Sequence, residues 1–200
     1  MGIPLRRRRW LHLRHRAERL SRRQCRADRA GAKVLSVADG EGRNSVFLAG
    51  NGADVHAVEV SPTAIARARE LAARRGVHVA FEQADLLRWA WPEGAYDAVV
   101  AIFVQFVTPE ERPAFFGRLV RALRPGGLLL LAGYRPEQVA NRTGGPSDPA
   151  HCYTEALLRE SFAGLEIERL DSYDAVLDEG PGHSGPSALI DLVARVRPAA

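Results

Sequence analysis

The sequence predicts an α/β domain built on a doubly wound sheet that is parallel across most of its width. Three observations lead there. From residue 33 onward, apolar runs of strand length alternate with runs of helical character, the pattern of a parallel sheet covered by helices on both faces. The first apolar run, Lys33–Val37, passes into the turn Ala38-Asp39-Gly40-Glu41-Gly42, and a helix follows. The second run, Asp54–Glu59, stops on an acid seventeen residues beyond Gly42. In nucleotide-binding α/β sheets a glycine turn lets backbone N–H groups approach a ligand, and an acid one strand over accepts hydrogen bonds from a ribose.

The elements follow in order. After the strand at 33–37 a helix is expected near 43–50, then the second strand at 54–59. Ser61-Pro62 starts the next helix, with serine as N-cap and proline in the first turn. That helix, 63–75, ends at Gly76, a residue suited to a left-handed C-cap. Strands three and four are expected at 77–82 and 96–103. Thr108-Pro109-Glu110-Glu111 caps a helix reaching 123, and Arg124-Pro125-Gly126-Gly127 turns into a fifth strand at 128–133. The Gly/Pro-rich stretch 141–149 is long enough for a lid, and a helix near 154–162 follows it. The last two strands, 166–176 and 187–196, are joined by a loop with no helix, so they are expected to pair antiparallel.

Composition limits the function classes. A chain of 200 residues, 46% hydrophobic and 26% charged, makes one globular domain with a full core. No apolar run is long enough to span a bilayer, and the basic N-terminus lacks the apolar segment of a signal peptide. Cys25 and Cys152 have no metal-type spacing; no metal is expected, and the two thiols fit a reducing cytoplasm. The net charge of +4 conceals an asymmetry. Residues 1–31 hold eleven arginines against Glu18 and Asp28, so this arm is strongly basic and the rest of the chain is acidic. The arm has no helical stripe, and the domain is taken to be 32–200. A basic arm is one signature of a nucleic-acid-binding protein.

The glycine turn and ribose acid serve two cofactor classes, those of NAD enzymes and of S-adenosylmethionine enzymes. A dinucleotide site wants a third glycine, and Ser45 stands in that position. A pyrophosphate also favours an uncluttered helix N-terminus, whereas Asp39 and Glu41 place acid in the turn. S-adenosylmethionine carries a sulfonium and no phosphate, so acids there are compatible with it.

At this point the chain resembles the class I S-adenosylmethionine-dependent methyltransferases, over about 32–197. Four places carry the resemblance: the turn Ser36 to Gly42; Glu59 followed by Ser61-Pro62; Gln83-Ala84-Asp85, with Asp85 26 residues past Glu59; and Leu123-Arg124-Pro125-Gly126-Gly127 before an apolar strand. The resemblance implies a Rossmann-like sheet of seven strands in the order 3-2-1-4-5-7-6 with strand 7 antiparallel. It implies S-adenosyl-L-methionine as cofactor, with S-adenosyl-L-homocysteine as product. The cofactor-binding residues it implies are Ser36 and Ala38 in the turn with Gly40 and Gly42, then Glu59 and Val60, Ala84 and Asp85, and Ile102 and Phe103 at the end of strand four. Two positions depart from the family pattern: Ser36 stands where an Asp is usual, and Ala38 where a Gly is usual. Alanine costs little there if its φ is negative. Within the class, the ending Glu179-Gly180-Pro181-Gly182-His183-Ser184-Gly185 resembles small bacterial methyltransferases grouped with tellurite-resistance and thiopurine enzymes. The arm also departs from the family. Read one base later in each codon from Leu5, it permits a string with the Tyr-Gly, Pro-Asn and Phe-Leu pattern of the family's N-terminal segment. The arm is therefore read as frameshifted, with a solvated, disordered basic tail or a nucleic-acid arm as the rival readings.

The catalytic candidates are His183, in a glycine-rich loop with Glu179 nearby, and Arg135, which follows strand five beside Tyr134. Gln105, His151 and Tyr153 are further candidates for facing the pocket, while His56 and His78 sit within strands and read as structural. The expected partner is a small-molecule acceptor bearing a thiol, a hydroxyl or a chalcogen oxyanion, with no membrane and no nucleic acid. The protein is expected to be a monomer or homodimer. The alternatives are an RNA methyltransferase that binds nucleic acid through its arm, or an inactive cofactor-binding fold.

Overall fold

The computed structural model describes residues 31–178 and 184–198; the arm and the loop residues around His183 lie outside them. Seven strands form one sheet in the order β3-β2-β1-β4-β5-β7-β6. They are β1 (Lys33–Val37), β2 (Asp54–Glu59), β3 (Ala80–Gln83), β4 (Tyr96–Ile102), β5 (Leu123–Tyr134), β6 (Glu166–Asp178) and β7 (Ser184–Arg195). The first five are parallel, and β7 pairs antiparallel with both β5 and β6. The strand order is the one the family resemblance implies, and the hairpin is the one expected from the sequence.

The apolar runs have a direct physical cause. Side chains alternate across a strand, so a strand covered on both faces must be apolar at every position. In β4, Ala98 and Val100 enter the core beneath α1 (Arg43–Gly50) and α2 (Pro62–Arg75). Val99 and Ala101 enter the opposite core, with Phe115, Phe116 and Leu119 of α3 (Arg112–Ala122). Leu128 to Leu131 of β5 divide in the same way. A short helix α4 (Gln138–Asn141), a 3₁₀ turn (Pro149–His151) and α5 (Glu155–Ser161) complete the chain before the final hairpin.

Several boundaries differ from the sequence reading, two of them with a plain physical cause. The third strand begins at Ala80, not at Val77, because the Val77 N–H bonds to the Ala72 carbonyl and closes the C-terminus of α2. The fifth strand begins at Leu123, because Leu123 already pairs with Tyr96 and the Pro-Gly-Gly turn is absorbed as an irregularity within the strand. Among the described residues no helix is long and apolar enough to cross a membrane.

Candidate functional site

The chain runs outward from β1 to β2 and β3, then returns across the sheet to β4. Neighbouring strands β1 and β4 thus send their following loops in opposite directions, and a crevice opens at their carboxyl ends. The cofactor residues expected from the sequence gather around this crevice.

Gly40 and Gly42 both have left-handed backbone, φ 60° and 81°. Their roles differ. A Cβ on Gly40 would meet nothing within 4 Å, so this position fronts open space. A Cβ on Gly42 would lie 2.7 Å from the Cβ of Ala68 in α2, so this glycine lets α1 and α2 pack. Glu59 closes the turn from the next strand: Oε2 accepts from the Gly40 N–H and Oε1 from the Ser61 N–H, both at 2.9 Å. Two fixed amides set the carboxylate plane, and each oxygen keeps a lone pair for a hydroxyl. Val60 follows with 61% of its surface exposed, an apolar shelf at the rim of the cleft. Asp85 caps its own turn, with Oδ1 accepting from the Leu87 N–H at 3.0 Å, and Ala84 is partly buried beside it. The turn is braced from below: Glu82 accepts from the Trp89 Nε1–H and meets His56, whose other ring nitrogen meets the Tyr96 hydroxyl. His56 is therefore structural, as expected.

Ser36 is 1% exposed and donates its hydroxyl proton to Asp39 Oδ1 at 2.7 Å. Asp39 also accepts from the N–H and the hydroxyl of Ser45 in the first turn of α1. Burial holds the Asp39 carboxyl above its ordinary range, and the hydrogen bonds from Ser36 and Ser45 offset only part of that rise. The sequence offered no signal for this arrangement beyond the acid in the turn. Its consequence is chemical. An acid occupies the helix N-terminus where a dinucleotide's pyrophosphate would sit.

Ala38 does not meet the condition under which alanine costs little: its backbone is left-handed, φ 49°. Phe103, one residue past β4, is left-handed too, φ 56°. Strained residues thus end both strands of the crevice, a place where strain commonly accompanies function. The left-handed region costs about 1–2 kcal/mol for a residue bearing a Cβ, and glycine's added chain entropy offsets about 0.5–1 kcal/mol of the relief. Ala38→Gly should therefore stabilise the fold by up to about 1 kcal/mol, read from denaturant midpoints. A fall in stability would show that the Ala38 methyl is needed where it lies.

The other side of the crevice is built around β4 and β5. Phe103 stacks on Tyr134, with ring centroids 4.6 Å apart, and Ile102 is partly buried at the other core. Arg135 directs its guanidinium to Asp174 on β6 and lies 3.8 Å from Glu137. His183 lies outside the described residues. The 141–149 stretch is fastened rather than free. Thr143 bonds to the Pro186 carbonyl, and its own carbonyl accepts from the Ser184 N–H. Gln138, fully buried, holds Gly144 and the Ala188 N–H. Gln105 is also buried and bridges Tyr134 to His151, a role that sequence reading missed because its partners lie far along the chain. Tyr153 is 1% exposed and belongs to the core, not to the cleft as expected. Among the described residues no group of His, Cys, Asp and Glu could hold a metal.

Residues 34–127 match the family model described as methyltransferase domain. A demethylmenaquinone methyltransferase of Thermus thermophilus is 34% identical over 111 residues, covering 54% of this chain and 50% of that protein. An uncharacterized protein of Mycobacterium tuberculosis is 26% identical over 180 residues, 78% of this chain and 65% of that protein. The chain thus spans less than two thirds of the length of either relative. The crystal structure of TehB from Haemophilus influenzae superimposes with a TM-score of 0.69 at 19% identity, over 92% of this chain and 66% of that one. The fold is that of the class I S-adenosylmethionine-dependent methyltransferases.

Proposed function

We propose that this chain, which carries a methyltransferase domain over residues 34–127, transfers a methyl group from S-adenosyl-L-methionine to a small-molecule acceptor. One observation carries the reading: two backbone amides fix the Glu59 carboxylate at the end of β2, while Asp39 occupies the helix N-terminus that a phosphate would need. An adenosine ligand without phosphates fits both. When bound, that cofactor supplies an electrophilic methyl group; the chain's own residues orient it and exclude water. Glu59 takes the ribose hydroxyls. Asp85, with Val60 and Ala84, takes the adenine. Ser36 and Ala38 border the methionine end, and Ile102 and Phe103 separate it from the acceptor.

The test is thermal. S-adenosylmethionine and S-adenosylhomocysteine should raise the melting temperature by mass action and NAD should not; a hundredfold excess over Kd is worth about 2.7 kcal/mol. No shift at roughly millimolar S-adenosylhomocysteine would sink the reading and favour a fold that no longer binds cofactor.

The acceptor belongs to the proposal as a thiol, hydroxyl or chalcogen oxyanion, with His183 and Arg135 as the groups that hold it. His183→Ala should lower turnover of the best acceptor and leave S-adenosylhomocysteine affinity nearly unchanged. Unchanged turnover per folded molecule would return His183 to a structural role. A monomer or homodimer in the cytoplasm is part of the same proposal, in keeping with the free, buried Cys152. If the arm binds nucleic acid instead, deleting residues 1–29 should abolish an affinity that falls steeply with salt.

A further inference from the structure

We propose that His151 is the general base of the methyl transfer, taking a proton from a thiol or hydroxyl acceptor through Nε2. The inference rests on the methyltransferase reading above and narrows its acceptor to a nucleophile that arrives protonated.

The adenosine residues occupy the carboxyl ends of β2 and β3, and the strained turn occupies that of β1. What remains of the crevice lies over β4 and β5. His151 is held there. Gln105, three residues past β4, donates from Nε2 to the Tyr134 carbonyl at the end of β5 and to the His151 carbonyl, at 2.9 and 3.1 Å. The His151 N–H bonds to the Asp148 carbonyl at 3.1 Å. Arg112 of α3 donates to the neighbouring Ala150 carbonyl at 2.6 Å. The 3₁₀ turn is therefore fastened to a loop, a strand end and a helix at once. Gly133 makes room for this, since a Cβ there would lie 2.7 Å from the Tyr153 ring and 3.0 Å from Gln105.

The ring itself has one fixed contact. Nδ1 lies 3.2 Å from the Gln105 carbonyl oxygen. A carbonyl only accepts, so Nδ1 carries the proton and the lone pair of the neutral ring sits on Nε2. Among the described residues no side chain is hydrogen-bonded to Nε2, and His151 is half-buried. His56 contrasts with it, having both ring nitrogens engaged. On the adjoining Cys152 and Tyr153 the charged groups that act are Arg112 on α3, Glu137 beyond β5 and Asp148 on the same segment. Burial pushes the Cys152 thiol up to about 11 and the Tyr153 hydroxyl higher, so both stay protonated and neither competes as a base.

The step balances. As the acceptor's sulfur or oxygen forms its bond to the methyl carbon, its proton passes to Nε2. The carbon–sulfur bond of S-adenosylmethionine breaks with its electron pair retained on sulfur, leaving S-adenosylhomocysteine. The imidazolium then releases its proton to solvent.

Two measurements on the full chain test this. Nitrogen-detected NMR of the histidine rings, assigned with His151→Gln, should show His151 protonated at Nδ1 and bare at Nε2 in its neutral form; a proton on Nε2 would overturn the proposal without any turnover assay. The second uses phenol and 2-mercaptoethanol as acceptor probes and follows S-adenosylhomocysteine release. His151→Gln should lower kcat by about 10²–10⁴-fold and remove the acidic limb of the pH–rate profile, while S-adenosylhomocysteine affinity holds. His183→Ala should keep that limb. Unchanged kcat in His151→Gln would overturn the proposal. Failure of S-adenosylhomocysteine to bind the parent would strike the cofactor reading instead and leave the tautomer result standing.

Discussion

Replacing Glu59 by alanine should weaken S-adenosylhomocysteine binding by roughly ten- to a hundredfold, because a hydrogen bond to a charged acceptor is worth about 1.5–3 kcal/mol. The carboxylate acts twice. It faces the crevice, and it ties the Gly40 N–H of the first turn to the Ser61 N–H of the second. Alanine removes both the acceptor proposed for the ribose and the tie between the Gly40 and Ser61 loops. Both Glu59 contacts are only part-buried, so water can replace the carboxylate at the freed amides and the cost to folding stays small. Glu59→Gln separates the two roles, since its amide oxygen can keep one tie while the charge is lost. Calorimetry on the three proteins decides the matter. Equal affinities for Glu59→Ala and the parent would show that no ribose reaches this carboxylate.

Much of this architecture is legible before any coordinates. A sheet covered on both faces writes itself as uninterrupted apolar runs, and a loop too short for a crossover helix forces β6 and β7 to pair antiparallel. The glycine turn and Glu59 are legible for a similar reason: their chemistry is local, within a strand end and the few residues after it. What escapes is whatever depends on a partner far along the chain. Gln105 looks like any polar loop residue until Tyr134 and His151 close on it. Arg135 looks free until β6 brings Asp174 beside it. Backbone conformation escapes as well: nothing in the composition of the turn says that Ala38 takes the left-handed conformation in place of a glycine.

The two glycines of the turn should fail in opposite ways when substituted, and Gly42 should fail harder. Gly42→Ala meets two costs. Its φ of 81° is unfavourable for any residue with a Cβ, at about 1–2 kcal/mol. Its new methyl would also stand 2.7 Å from the Cβ and 3.0 Å from the Cα of Ala68, a residue of α2 with no exposed surface. The Cα is backbone, so relief requires α1 and α2 to move apart, an overpacking cost of about 1–3 kcal/mol. A combined loss of roughly 2–5 kcal/mol is a large share of a domain's stability. Ala68→Gly in the same protein should return part of the steric share and none of the backbone share, so a double-mutant cycle in denaturant should show coupling of about 1–2 kcal/mol. Gly40→Ala carries the backbone cost alone, because nothing lies within 4 Å of its Cβ. Its methyl instead projects into the space assigned to the cofactor. It should lose S-adenosylhomocysteine affinity out of proportion to its stability, where Gly42→Ala loses stability first. If both variants lose affinity and stability in the same ratio, the open space at Gly40 is not where the ligand lies.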